Sequence, residues 1–147
     1  MTKTTASASI TPVRPQRLAQ QVGKALQAHD WTLVTAESCT GGMVAEWVTR
    51  IAGSSGWFER GFVTYSNAAK SEQLDVLPAT LDQYGAVSEE ITAEMVAGAL
   101  AHSDADIAVS VSGIAGPDGG AKTKPVGTVC FGWGRRDGVL VTATVYL

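Results

Sequence analysis

The 147-residue sequence predicts an α/β protein, a three-layer α/β/α sandwich around a mixed, mostly parallel sheet. Three observations lead there. Segments with apolar residues at helical spacing alternate with short β-branched runs, the pattern of a sheet covered by helices. One run, Ile107 to Ser112 (IAVSVS), carries no charged residue, as a strand buried on both faces requires. The last two strand-like segments are separated by Arg135-Arg-Asp-Gly138, which reads as a hairpin turn and makes the sheet mixed.

Each element has its own signal. Arg14 to His29 is expected to be a helix, with Pro15 near its start and Leu18, Val22, Ala25 and Leu26 on its inner face. Asp30 leads into a strand, Trp31 to Ala36. Met43 to Ala52 is expected to be helical, with Gly53 as a left-handed cap. Ser54 to Phe58 reads as a loop and Arg60 to Ser66 as a strand. Asn67 is the expected cap of a helix through Lys70 to Leu74. Pro78 to Tyr84 reads as a short helix ended by Gly85. Ser88, followed by Glu89 and Glu90, is expected to cap a helix to Ala101 with Ile91, Met95, Val96 and Leu100 inward. Strands are expected at Val126 to Trp133 and Val139 to Tyr146. No internal repeat is present.

Composition narrows the function classes. A chain of this length, 45% hydrophobic and 17% charged, can bury one proper core, so residues 14–147 are expected to form one domain. A formal net charge of −3 argues against nucleic-acid binding driven by bulk electrostatics. No apolar run reaches the length of a membrane span. Residues 1–13 are rich in Thr, Ser and Ala and lack the apolar core of a signal peptide. A disordered tail and a cytoplasmic location are therefore expected. Cys39 and Cys130 provide neither a disulfide framework nor metal spacing. The acids Asp104, Asp106 and Asp118 with His102 fit no standard metal site, so neither metal nor cofactor is expected.

The chemistry concentrates in two glycine-bearing segments that follow strands. Thr35-Ala-Glu-Ser-Cys-Thr-Gly-Gly42 places Ser38, Cys39 and Thr40 where a strand turns into a helix. Gly41 and Gly42 allow close approach of a ligand. Amides near a helix start favour developing negative charge, and a hydroxyl or thiol beside them suits acyl transfer. A polar helix cap explains the same residues equally well. The second segment, Gly113-Ile-Ala-Gly-Pro-Asp-Gly-Gly120, leaves the strand that ends at Ser112. In an open α/β sheet such loops line the ligand crevice.

A nucleophilic Ser38 needs a base. The two histidines, His29 and His102, sit at helix ends, where they suit the dipole better than catalysis. A lysine is the remaining conventional choice, as in serine–lysine variants. Lys70, close to a helix start, has an environment that disfavours the ammonium. Cys39 is the rival nucleophile, with a small buried hydrophobe as its plain alternative. Tyr65 and Ser66 end a strand just before Lys70, and Ser112 ends the next; each suits a proton relay, an orienting bond or ordinary strand-end bonding. Lys122 and Lys124 flank the glycine loop, either to meet a phosphate or as solvated charges.

Several motifs together carry a resemblance. AESCTGG at 36–42, AGSSGWFERGFVTYSNAAK at 52–70, GAVSEE at 85–90, SGIAGPDGG ending at Gly120 and KPVGT at 124–128 strongly resemble the CinA C-terminal domain family. The match runs in register over roughly residues 14–134 and lies nearest the stand-alone nicotinamide-nucleotide amidases. The resemblance implies hydrolysis of the carboxamide of nicotinamide mononucleotide to nicotinate mononucleotide and ammonia, in pyridine nucleotide recycling. It implies an α/β/α domain, a homodimer, a small nucleotide substrate and no metal. It puts the nucleophile on Ser38, the lysine on Lys70 and a hydroxyl residue on Ser112, with Tyr65 beside them. Substrate contacts are expected from Cys39, Thr40, Gly41, Gly42, Asn67, Gly113, Ala115, Gly116 and Lys124. The resemblance also implies a further segment similar to GDR-x-x-VR and a final helix, with an arginine toward the nucleotide phosphate. A chain ending at Leu147 is accordingly expected to bind the mononucleotide less tightly. The alternative function is a nucleotide-binding or regulatory module without turnover, linked to competence or DNA damage.

Overall fold

In the computed structural model, residues 14–147 are described, preceded by the backbone of a short strand, β1 (Thr2–Lys3). The elements that follow are α1 (Pro15–His29), β2 (Leu33–Glu37), α2 (Met43–Thr49), a single 3-10 turn (Ser54–Gly56), β3 (Phe58–Val63), α3 (Asn67–Leu74), α4 (Pro78–Tyr84), α5 (Glu89–Ala101), β4 (Ile107–Gly113), β5 (Thr128–Arg135) and β6 (Leu140–Tyr146). The six strands form one sheet in the order β1-β6-β5-β4-β2-β3. β2 pairs parallel with β3 and β4, and β1 parallel with β6, while β4–β5 and β5–β6 are antiparallel. The sheet is therefore mixed with most pairings parallel, as expected. The tail expected over residues 1–13 lies outside the described residues apart from β1.

Alternation along β2 divides the core in two. Val34 and Ala36 point into a cluster with Leu74, Val76, Ile91, Met95, Val96 and Ala99, which α3, the segment that follows it and α5 supply. Leu33 points the other way, to Leu26 of α1, Val48 of α2 and Trp57. Helices thus cover both faces, and residues on β2 and β4 choose a face by parity. α5 packs so closely on the end of α3 that a Cβ on Gly98 would lie 1.9 Å from the Leu74 carbonyl oxygen.

Four expectations are corrected. The buried stripe of α1 is Ala19, Gly23 and Leu26, while Leu18 and Val22 are exposed, Leu18 by 51%, and Ala25 is also exposed. The cause is Trp57, whose indole sits where a Cβ on residue 23 would be 2.7 Å away, so α1 presents its glycine edge rather than its leucine edge. α2 ends at Thr49, and Gly53, at φ +83, opens the 3-10 turn instead of capping the helix. β3 starts and ends earlier than expected, leaving Thr64 and Tyr65 outside the ladder. The cap of α3 is Ser66, not Asn67: Ser66 is extended and its hydroxyl accepts the Ala69 N–H at 3.0 Å.

Candidate active site

The parity of β2 sends its last two polar side chains to opposite sides of the sheet. Glu37 turns toward α2 and Ser38 toward α3. Their backbone is held by both neighbouring strands: Glu37 C=O accepts the Thr64 N–H at 2.8 Å, and Ser38 N–H donates to Val111 C=O at 3.0 Å. Beyond them the chain turns tightly. Gly41 N–H donates to Ser38 C=O at 3.1 Å, and Gly41 and Gly42 take φ of +60 and +109, which suits glycine. The Glu37 carboxylate reaches across this turn. It accepts the Thr40 hydroxyl at 2.6 Å, the Val44 N–H at 2.8 Å and the Ala45 N–H at 3.1 Å. The N-terminal amides of α2 are therefore occupied by a carboxylate. The amides of Cys39 and Thr40 are not drawn into these bonds.

Lys70 meets Ser38 from α3, in the first turn after the Ser66 cap. It is 1% exposed, and its Nζ contacts three oxygens: Ser38 Oγ at 2.9 Å, Thr64 C=O at 3.0 Å and Tyr65 C=O at 2.9 Å. Burial pushes the Lys70 amine below the ordinary lysine range, opposed weakly by the nearby Cys39 thiol. A neutral amine has two N–H groups and one lone pair. The two carbonyls are acceptors only, so when the amine is neutral they can take both N–H groups and leave the lone pair for the Ser38 hydroxyl. β3 ends just before this point, at the edge of the sheet, and the Thr64 and Tyr65 carbonyls beyond it bond the lysine.

Ser38, Cys39, Tyr65, Lys70, Ser112, Gly113, Ala115 and Gly116 line one cleft of about 350 Å³, together with Ala86, Val87, Ile114 and Asp118. Ser112 shares the Ser38 face of the sheet, but its hydroxyl donates to Ala86 C=O at 2.8 Å rather than to Ser38 or Lys70. Tyr65 is 75% exposed and meets Lys70 through its carbonyl. Cys39 is half-buried, and burial, with a smaller push from Glu37, raises its thiol above the ordinary cysteine range. Thr40, Gly41 and Gly42 shape the turn without lining the cleft. Asn67 is exposed at the first position of α3, also outside the lining. Lys124 lines a neighbouring depression, where its Nζ donates to Tyr84 C=O at 2.5 Å. Both histidines lie elsewhere: His29 stacks on Trp31, and His102 Nε2 sits 2.6 Å from Asp75 Oδ2. Among the described residues no group of three or more His, Cys, Asp or Glu is placed to hold a metal ion, and no helix is long and apolar enough to cross a membrane.

Sequence reasoning overlooked three participants. Glu37 stood in the leading motif without a role, although an acid just before a strand-to-helix turn is a signal for capping. The Thr64 and Tyr65 carbonyls carry no side-chain signature at all. Ala86 and Val87, which close the cleft, follow Gly85 in a loop whose position depends on α4.

Fold and cleft together define an α/β/α domain with a buried serine–lysine pair where a parallel strand gives way to a glycine turn. A model of the CinA C-terminal domain matches residues 15–147, and the chain belongs to that family. It is 59% identical over 130 residues to nicotinamide-nucleotide amidohydrolase PncC of Enterobacter agglomerans, covering 88% of this chain and 79% of that protein. It is likewise 59% identical over 126 residues to the protein of the same name from Escherichia coli K12, covering 86% and 76%. Among solved structures, competence/damage inducible protein CihA from Agrobacterium tumefaciens superposes with a TM-score of 0.88 at 42% identity, covering 95% of this chain and 84% of that one.

Proposed function

We propose that the protein hydrolyses the carboxamide of nicotinamide mononucleotide to nicotinate mononucleotide and ammonia, with Ser38 as nucleophile and Lys70 as its base. The observation that carries the proposal is the buried Nζ of Lys70, 2.9 Å from Ser38 Oγ and bonded as well to the Thr64 and Tyr65 carbonyls. The kinship with amidohydrolases of 59% identity supports the substrate.

The steps follow from the donors and acceptors. Lys70 accepts the Ser38 proton, and Ser38 Oγ forms a bond to the carboxamide carbon. The resulting ammonium has three N–H groups for the three oxygens around it. The Cys39 amide, beside Ser38 in the cleft lining and outside the bonds that Glu37 makes, is the donor for the oxyanion. Lys70 returns its proton to the departing nitrogen, the C–N bond breaks, and ammonia leaves an acyl-Ser38. Lys70, neutral again, takes a proton from water as the water oxygen bonds to the acyl carbon; the ester C–O bond breaks, Lys70 returns the proton to Ser38 Oγ, and nicotinate mononucleotide leaves. The loop from Gly113 to Gly116 borders the cleft and contacts the nucleotide, and Ser112 holds the loop before α5 through Ala86. The product serves pyridine nucleotide recycling, and the active form is a homodimer.

The test is ammonia release from nicotinamide mononucleotide by the purified protein and by Ser38→Ala. Release by the former alone supports the proposal. Binding without turnover supports the competence-linked module instead. A purely binding module has no use for a neutral lysine kept out of water beside a serine, which favours the enzyme.

A further inference from the structure

We propose that Glu37 is a positioning residue for the transition state: its buried carboxylate holds the Cys39–Gly42 turn, and with it the Cys39 amide at the oxyanion, at a set distance from Ser38 Oγ. The inference rests on the reading of Ser38 as nucleophile. Glu37 is 1% exposed, and burying a carboxylate is costly unless it is fully bonded. Its oxygens have three donors, one within the turn, the Thr40 hydroxyl, and two beyond it, the Val44 and Ala45 amides. An ordinary cap on residue 42 would satisfy the helix locally, yet the N-cap is Gly42, which has no side chain to bond with. Capping is delegated to a residue before the turn, and that choice has a geometric effect. The Glu37 backbone is fixed to β3 and the Ser38 backbone to β4, so the carboxylate carries the rigidity of the sheet to the first turn of α2. α2 has seven residues, too few to hold its own position by propensity. Between the two anchors lies Cys39, the residue of the turn that lines the cleft.

The Ser38–Lys70 contact is assembled from α3 and the end of β3, on the other side of the sheet. Loss of Glu37 should therefore leave the base and its protonation alone and displace the oxyanion donor. A glutamine keeps one acceptor oxygen but turns an NH2 group toward donors. A displacement near 1 Å in such a site costs about 100-fold in rate, and loss of one oxyanion donor costs about 100- to 1,000-fold.

The experiment measures ammonia release from nicotinamide mononucleotide across pH for wild type, Ser38→Ala, Glu37→Gln and Thr40→Val, with the folded fraction taken from thermal melts. Expected for Glu37→Gln is a fall in kcat per folded molecule of about 10- to 100-fold, with KM within about threefold and the midpoint of the acid limb unmoved. Thr40→Val, which removes one of the three ties, is expected to move kcat the same way by less. Unchanged kcat per folded molecule, a rise in KM alone, or a displaced acid limb overturns the proposal. If Glu37→Gln does not fold, Thr40→Val decides on the same criteria. A silent wild type, or an active Ser38→Ala, sinks the amidase reading and this inference with it. An active wild type, a silent Ser38→Ala and a fully active Glu37→Gln sink the inference alone.

Discussion

Ser38 and Cys39 are neighbouring candidates for the nucleophile, and their surroundings treat them differently. The Ser38 hydroxyl meets a lysine whose amine burial pushes below its ordinary range, whereas burial and, less strongly, Glu37 push the Cys39 thiol up. Ser38→Ala is expected to lower kcat by several orders of magnitude, while Cys39→Ala retains most activity. Steady-state ammonia release compares them, and the reverse pattern would transfer the nucleophile to Cys39. Lys70 acts only as the free amine. Its protonation equilibrium lies below the ordinary lysine range, so activity should be present above that lowered value and fall as pH drops through it. Lys70→Arg keeps a charge that cannot be shed, so it should be as inactive as Lys70→Ala. Near-normal activity in the arginine variant would reduce Lys70 to an electrostatic contact.

At the scale of the element, the site depends on where strands stop and how closely helices approach. α3 delivers Lys70 because Ser66 caps it, and Ser66→Ala should cost about 1 kcal/mol of stability. The approach of α5 is tighter. Gly98→Ala would set a methyl against the Leu74 backbone, an atom that cannot rotate away, so a loss near the upper end of about 1–3 kcal/mol is expected. Urea titration with an unchanged m value reads both effects. Wild-type stability for Gly98→Ala would mean that α3 and α5 have room to separate. The strand and helix types, the α4 and α5 spans and the Ser88 cap were legible because local signals and tertiary demands agree there. The inner face of α1 was not, because Leu18 and Val22 look like core residues until Trp57 claims the face of Gly23.

For the whole molecule, the buried lysine couples folding to pH. The unfolded chain holds the Lys70 proton up to the ordinary lysine range, while the folded chain releases it at lower pH. Between those two values the unfolded state binds one proton more, so stability should rise with pH, at up to about 1.4 kcal/mol per pH unit for a single proton. Below the folded value that dependence disappears. Lys70→Met should abolish the rise, as chemical denaturation at a series of pH values will show. A Lys70→Met variant with the wild-type slope would mean that another group carries it.

The amino-acid sequence alone determined the α/β class and the two glycine-bearing turns, and it nominated Ser38 with Lys70. The first two rest on apolar period and turn chemistry; the third on the lack of a suitably placed histidine together with the family resemblance of the motifs. Only the tertiary structure decided how the pair is held. That Lys70 Nζ sits between Ser38 Oγ and the carbonyls of Thr64 and Tyr65 depends on where those carbonyls fall, and a carbonyl is the same in every residue, so no letter of the sequence announces it. That Glu37 and Ser38, adjacent in the chain, serve opposite faces of the sheet follows from strand parity. Which helix waits on each face is settled by packing over distances that local pattern does not reach.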